Sequence, residues 1–296
     1  MPMKPCGHTM GTPEMSPAEA VDFFADLGYE AIEFLCLEDY RCAVNPAASA
    51  LDHRELAKRI RDRGLELACL TPYATDLNAQ DPEKYRQQKE LLKRSIELAS
   101  RMGFPFVRVY GGRIVEPDQR PASIERLAAA LRECARDAQA GSVVLAVENH
   151  YNTLTVTAAE TMEVIRTVGH PAVRVLYDQS NITQMGGEDF SQAIALQREQ
   201  IVHVHVKDIE FKGSGPQGQT GDVSHIAPSV RAVRSRVIGQ GVLPWPEIIR
   251  RLHEIGYRGY LSVEYSRKWY PEDLPVPGIG LKESGNFLRE CLAVLQ

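Results

Sequence analysis

The sequence predicts a single (β/α)8 barrel spanning residues 1–296, a fold whose functional site lies at the C-terminal ends of its strands. Three observations carry that expectation. Eight strand-like runs can be counted, helical patterns alternate with them throughout, and no glycine-rich phosphate loop follows the first strand. Parallel neighbours must be joined by crossovers, so strict alternation of strand and helix closes most naturally into a barrel. The competing arrangement, an open doubly wound sheet, would normally carry the missing phosphate loop.

In chain order the strand-like runs are PCGHTM (5–10), EAIEFL (30–35), LELACLTPY (65–73), PFVRVYGG (105–112), VVLAVENH (143–150), VRVLYDQSN (173–181), IVHVHVKD (201–208) and YLSVEY (260–265). The last four alternate with period two. Val143, Leu145 and Val147, then Val173, Val175 and Tyr177, then Val202, Val204 and Val206, then Leu261 and Val263 form the apolar set that should pack on helices. The opposite parity carries Glu148, Asp178, His205 and Glu264, which should therefore point into one lumen. Helix starts of capping-box form stand at Ser16-Pro17-Ala18-Glu19, at Asp52 followed by Glu55, and at Thr157-Ala158-Ala159-Glu160. Gly28, Gly64, Gly103, Gly169 and Gly256 supply stops. The stretch 241–256 reads as the start of the last full helix, with Trp245-Pro246-Glu247 in its first turn. The glycine-rich segment 211–241 is expected to form a mobile cover or a subunit contact. No helix begins right after its glycines, so it is not read as a phosphate cradle.

Composition fits one enzyme-sized domain. The chain is 44% hydrophobic and 25% charged, enough for a large core, and its net charge of -5 offers no general attraction for nucleic acid or an anionic membrane. The N-terminus lacks a signal-peptide pattern, and no apolar run approaches the roughly 20 residues of a membrane span, so a cytoplasmic protein is expected. Cys6, Cys36, Cys42, Cys69, Cys134 and Cys291 lack metal or redox spacing and read as reduced, mostly buried thiols. A small-molecule substrate is the natural starting assumption.

Taken in order, strand-Glu-Asn-His (148–150), strand-Asp-x-x-Asn (178–181), strand-His-x-His-x-Lys-Asp (203–208), Ile-Gly-Gln-Gly-x-x-x-Trp-Pro-Glu (238–247) and a final strand-Val-Glu-Tyr (263–265) resemble the xylose isomerase-like barrel superfamily. Within it the likeness is to the sugar phosphate isomerase/epimerase branch. Singly these motifs are weak; four ligand motifs in order, each ending a strand, are specific. The resemblance implies one divalent cation, usually manganese, magnesium, cobalt or zinc, held by Glu148, Asp178, His205 and Glu264. It also implies a homo-oligomer.

Three carboxylates and one imidazole leave a net charge of about -1 once a 2+ ion binds, which favours manganese, magnesium or cobalt over a thiolate-type structural zinc. Such an ion can hold neighbouring oxygens of a sugar- or polyol-derived hydroxy-ketone, acidify the adjacent C–H and stabilise the enediolate that follows. By the family likeness, Glu148 and Glu264 carry the proton transfers. The expected reaction is isomerisation or epimerisation, and the alternative is a lyase or dehydratase acting on a keto-sugar or keto-inositol. A binding protein on the same fold would ordinarily have lost a ligand, and all four are intact.

Other inward polar residues are candidates for substrate contact. His150 shares the face of Glu148 nearer the mouth, and Lys207 shares the parity of His205, with a salt bridge to a ligand or to Asp208 as its plain structural role. Arg108 and Tyr110 should reach the mouth from the fourth strand, and Glu33 points inward from the second. His203 reads as a satisfied core histidine, His8 as a residue able to touch substrate, and Trp269 as either a sugar-stacking surface or an anchor for the closing helix. Asn181 stands where related barrels, including three-metal DNA-repair endonucleases, carry a further histidine. That substitution, with no basic tracts in the strand-end loops, speaks against a nuclease.

Overall fold

Each alternating run folds as a short strand, and the outward apolar residues meet a ring of helices. The computed structural model describes residues 2–213, 226–227 and 229–295. In chain order the elements are β1 (Lys4–His8), α1 (Pro17–Asp26), β2 (Ala31–Leu35), α2 (Ala50–Asp62), β3 (Glu66–Thr71), α3 (Pro82–Met102), β4 (Phe106–Val109) and α4 (Arg120–Ala140). They continue through β5 (Val144–Glu148), α5 (Ala158–Val168), β6 (Val173–Tyr177), α6 (Gln179–Gln184), α7 (Phe190–Gln197), β7 (Ile201–Val206), β8 (Asp208–Phe211) and β9 (Val233–Arg236). The last three are α8 (Trp245–Glu254), β10 (Tyr260–Val263) and α9 (Pro277–Ala293). Strands β1 to β7 and β10 close into a parallel barrel, with β10 between β7 and β1. This is the expected (β/α)8 architecture.

The parity reading holds at the level of packing. Val143, Leu145, Val147, Val173, Val175, Tyr177, Val204, Val206, Leu261 and Val263 all lie in the buried layer between strands and helices. The lumen floor is narrower, and small residues Cys6, Ala31 and Ala68 fill it against Tyr260. Gly7 serves the outer layer: a Cβ there would sit 2.2 Å from the Phe24 ring, so only glycine lets α1 pack this closely on β1.

Helix α1 begins at the Ser16–Glu19 capping box and α5 at the Thr157–Glu160 box. The start of α2 differs from expectation. Its box pairs Ser49 with Asp52 rather than Asp52 with Glu55, because the helix begins one turn earlier, at Ala50. The five stop glycines all adopt positive φ, between 60° and 92°, a region in which a Cβ is strained.

Further corrections concern the region around β7. The run 201–208 is not one strand: β7 ends at Val206, and Asp208 opens β8, which pairs antiparallel with β9 across the expected cover segment. Residues 214–225 and 228 of that segment lie outside the described residues. Helix α8 is not the last full helix either, since the 17-residue α9 follows it. Its glycines mask the helical pattern, yet one of them is needed for packing. A Cβ at Gly280 would fall 1.8 Å from the Tyr265 hydroxyl.

All six cysteines are free, and all but Cys291 are buried. Among the described residues no helix is long and apolar enough to cross a membrane.

Candidate functional site

Four neighbouring strands deliver the expected ligands to one place. Glu148 is the last residue of β5, Asp178 follows β6, His205 is the penultimate residue of β7, and Glu264 follows β10. One ligand atom from each lies within 4.8 Å of the others, and all four residues are buried. Register explains the convergence. Ser262 on β10 pairs with His205 on β7, and Glu148 on β5 pairs with Leu176 on β6, so the carboxylates arrive at the same height.

Local structure holds each group still. The Asp178 Oδ1 atom caps α6 by accepting from the Asn181 backbone N–H at 2.9 Å, which turns Oδ2 toward the cluster. Asn181 Nδ2 donates to that Oδ2 at 3.0 Å and to the Asn149 carbonyl at 2.9 Å, and stands 3.4 Å from Glu148 Oε1. It thus occupies the place of a possible extra ligand as a donor between two carboxylates. Thr155 Oγ1 donates to the Glu148 carbonyl at 2.8 Å and fixes the end of β5.

The charges are closely coupled. His205 Nδ1 lies 3.0 Å from Glu148 Oε1 and 3.8 Å from Glu264 Oε2, and Lys207 Nζ lies 2.6 Å from Glu264 Oε2 and 2.9 Å from Asp178 Oδ2. Burial alone would depress Lys207, but the carboxylates of Asp178, Glu264 and Glu148 outweigh it and hold the ammonium well above its ordinary range. Burial lifts the Asp178 carboxyl to about 6 against the pull of Lys207, with Glu264 and Glu148 adding to the rise. Glu148 goes the other way: burial opposes ionisation, yet His150, Arg108 and His205 hold it well below the usual carboxylate range. Three carboxylates thus surround a lysine and a histidine in a buried pocket, and one of their oxygens, Glu148 Oε2, has no hydrogen-bond partner among the described residues. A donor set of this kind suits a hard divalent cation, and the four residues can hold one.

The other candidates separate into two levels. His150, Lys207 and Glu264 line the cavity above the cluster, together with Tyr151, Trp269 and Tyr270. His150 Nδ1 stands 2.9 Å from the Tyr151 carbonyl, which can only accept, so the ring donates there and keeps Nε2 as a lone pair. Burial lowers its pKa to about 4, leaving it neutral at pH 7. Arg108 does not reach the cavity. It is buried between Tyr110, at 3.7 Å, and Tyr73, at 5.1 Å, and its Nε lies 3.4 Å from Glu148 Oε2. Glu33 lies deeper still and is fully buried among protein donors, including His203 at 2.7 Å. His8 is likewise fully buried, its Nδ1 accepting from the Met10 N–H at 3.0 Å. Trp269 forms part of the cavity wall and packs edge-on against Tyr73 and Tyr40.

Sequence reasoning underrated Asp208, weighing it only as a partner for Lys207. Its carboxylate instead accepts four backbone N–H groups, from Ile209, Gly239, Gly241 and Leu243, at 2.9–3.2 Å. The Gly-Gln-Gly spacing was the available signal, because a Cβ at Gly241 would fall 2.1 Å from Asp208 Oδ1. Asp208 thereby fixes the segment following the β8–β9 hairpin, which flanks the cavity.

The xylose isomerase-like TIM barrel family model matches residues 21–291. The chain belongs to this family. Among relatives, the D-psicose 3-epimerase of Enterocloster bolteae is 24% identical over 259 residues, 82% of this chain and 75% of that protein. SgbU of Escherichia coli, to which an L-ribulose-5-phosphate 3-epimerase activity has been attributed, is 22% identical over 68% of this chain. That match spans 66% of SgbU's own length, just under two thirds. Among solved structures of xylose isomerase-like barrels, an L-ribulose 3-epimerase superposes with a TM-score of 0.77 at 22% identity, covering 99% of this chain and 95% of that one. At that identity the superposition establishes the fold.

Proposed function

We propose that the chain is a divalent-metal-dependent epimerase or isomerase acting on a sugar- or polyol-derived hydroxy-ketone. The observation that carries this reading is the buried Glu148–Asp178–His205–Glu264 cluster under a cavity walled by tyrosines and a tryptophan. The epimerase relatives support it.

Glu148, Asp178, His205 and Glu264 would hold the cation, with manganese the metal we favour. When bound, it supplies Lewis acidity toward adjacent substrate oxygens and balances the carboxylate charge. The remaining chemistry belongs to the side chains. Glu148, held ionised by its neighbours, is suited to take a proton from the carbon next to the carbonyl. Glu264, in contact with the Lys207 ammonium, is suited to work as its partner, so that removal by one glutamate and return by the other inverts the centre. Lys207 would donate to a substrate oxygen, and the free Nε2 lone pair of His150 would accept a hydroxyl proton. Arg108 would act through Glu148 by keeping it charged. Aromatic walls match the C–H faces of a sugar ring and exclude water from the reacting carbon.

The reading extends to a cytoplasmic homo-oligomer, to be tested by fractionation and sedimentation velocity. The decisive experiment is proton exchange. The manganese-loaded protein is incubated in heavy water with ketoses, keto-acids and inososes, and carbon-bound hydrogens are followed by NMR beside a chelated control. Metal-dependent deuterium uptake with composition otherwise conserved is expected. Loss of water from the substrate would make the protein a lyase, and no exchange across the panel would overturn the enzymatic reading.

A further inference from the structure

Beneath the ligand cluster lies a second polar layer centred on Glu33. This carboxylate is fully buried and surrounded by donors from four other strands. Oε1 accepts from Thr71 Oγ1 at 2.5 Å and faces His205 Nε2 at 3.1 Å. Oε2 accepts from Ser262 Oγ at 2.6 Å and faces His203 Nε2 at 2.7 Å. His8 completes the ring, with Nε2 3.6 Å from Oε1. Its Nδ1 accepts from a backbone N–H, so Nε2 carries the proton and points at the same carboxylate.

The consequence concerns which nitrogen of His205 is available. An ionised carboxylate has no proton to give, so His205 Nε2 must be the donor in that contact. A neutral imidazole then has its lone pair on Nδ1, and Nδ1 is the atom that faces Glu148 and Glu264. Two carboxylates facing one lone pair would be repelled by it and by each other. The arrangement is favourable only when a positive centre sits there, a proton in the free protein or a cation in the loaded one.

We propose that Glu33 is a positioning residue that fixes His205 as the Nε2–H tautomer and aims its Nδ1 lone pair at the cation site. Glu33 also makes that nitrogen a stronger donor, since hydrogen bonding to a carboxylate raises imidazole basicity. This places Glu33 in the layer that supports the ligands rather than in substrate contact. The inference rests on the metal reading above. A second cation between His8, Glu33 and His205 is disfavoured by the same geometry, because the nitrogens facing Glu33 carry protons.

The test is manganese affinity in the full-length protein, read from the EPR signal of free Mn2+ during titration, with circular dichroism melting of the metal-free forms as the folding control. Glu33→Gln keeps the size and removes the charge, and its manganese Kd is expected to rise roughly 10- to 100-fold. Ser262→Ala removes another donor to Glu33 without touching His205, and its Kd is expected to stay within about threefold of the parent. If Glu33→Gln does not fold, Glu33→Asp retains the charge but retracts the carboxylate from His205, and the same weakening is expected. A parent protein that binds no Mn2+ overturns the metal reading itself. A folded Glu33 variant with the parent's Kd overturns the positioning role alone, as does a loss in Ser262→Ala equal to that in the Glu33 variant.

Discussion

Lys207 shows at the residue scale how a buried cluster of carboxylates is kept in order without a cation. Its ammonium touches both Asp178 and Glu264, and removing one partner from a buried charge cluster leaves the rest uncompensated. Lys207→Met should therefore lower the melting temperature of the metal-free protein by several degrees, with added Mn2+ recovering most of the loss. Scanning calorimetry of both forms checks this; equal losses with and without metal would show that Lys207 matters only for packing. Glu148→Gln and Glu264→Gln should each cut turnover at least about 100-fold, the lower range for a lost acid or base, while the far-ultraviolet spectrum stays that of the parent. Full activity in either variant would remove that residue from the proton transfer. Parity along the strands was enough to bring Glu148, Asp178, His205 and Glu264 into one lumen, because alternation fixes which way a side chain points. It does not fix depth. Glu33 and Glu264 both point inward, but strand register and barrel tilt place Glu33 a layer below the cavity, and neither is written in a single strand's pattern. For the same reason Arg108 reads as a mouth residue and lies buried against Tyr110.

Among the elements, the parts that escaped sequence reading are those without a period. Strand β9 is four residues of mixed polarity, VRSR, at the end of a glycine-rich segment, and it becomes a strand only by pairing with β8. What holds the chain beyond that hairpin is Asp208, whose carboxylate gathers four backbone donors that would otherwise be orphaned. Asp208→Ala is expected to cost about 3 kcal/mol in urea unfolding, the range for losing charge-assisted hydrogen bonds and leaving buried donors unpaired. Asp208→Asn keeps one carbonyl acceptor and should cost less. A loss under about 0.5 kcal/mol in the alanine variant, the scatter of ordinary surface changes, would show that the segment holds itself. Helix α9 was obscured differently: Gly280 serves contact with Tyr265 and Gly285 lies against Tyr29, so a packing requirement overrode helix propensity. The regular strands were legible because their outward faces are almost wholly apolar.

Over the whole molecule, the cluster ties β5, β6, β7 and β10 together, so cation binding should be felt as global stability. A ligand that binds only the folded state adds about 2.7 kcal/mol at one hundred times its Kd, which for a domain of this size is a rise of roughly 5 °C in melting temperature. The pH dependence of that rise follows from two raised groups. Asp178 is pushed up to about 6, and His205 stands well above its ordinary value because Glu33, Glu264 and Glu148 together outweigh its burial. In the metal-free protein a raised group stabilises the fold fully below its unfolded pKa, and that contribution is lost as pH climbs through the folded one. For Asp178 the loss falls between about 4 and about 6. The loaded protein behaves oppositely, since the cation needs both groups deprotonated and gains affinity over the same interval. The two curves must diverge. The difference in melting temperature between manganese-loaded and chelated protein should be small near pH 5 and grow toward pH 7.5, and taking the difference cancels every group that titrates alike in both forms. A difference that stays constant across that range would mean that no proton leaves the cluster when the cation enters, and the ligand assignment of Asp178 and His205 would fall with it.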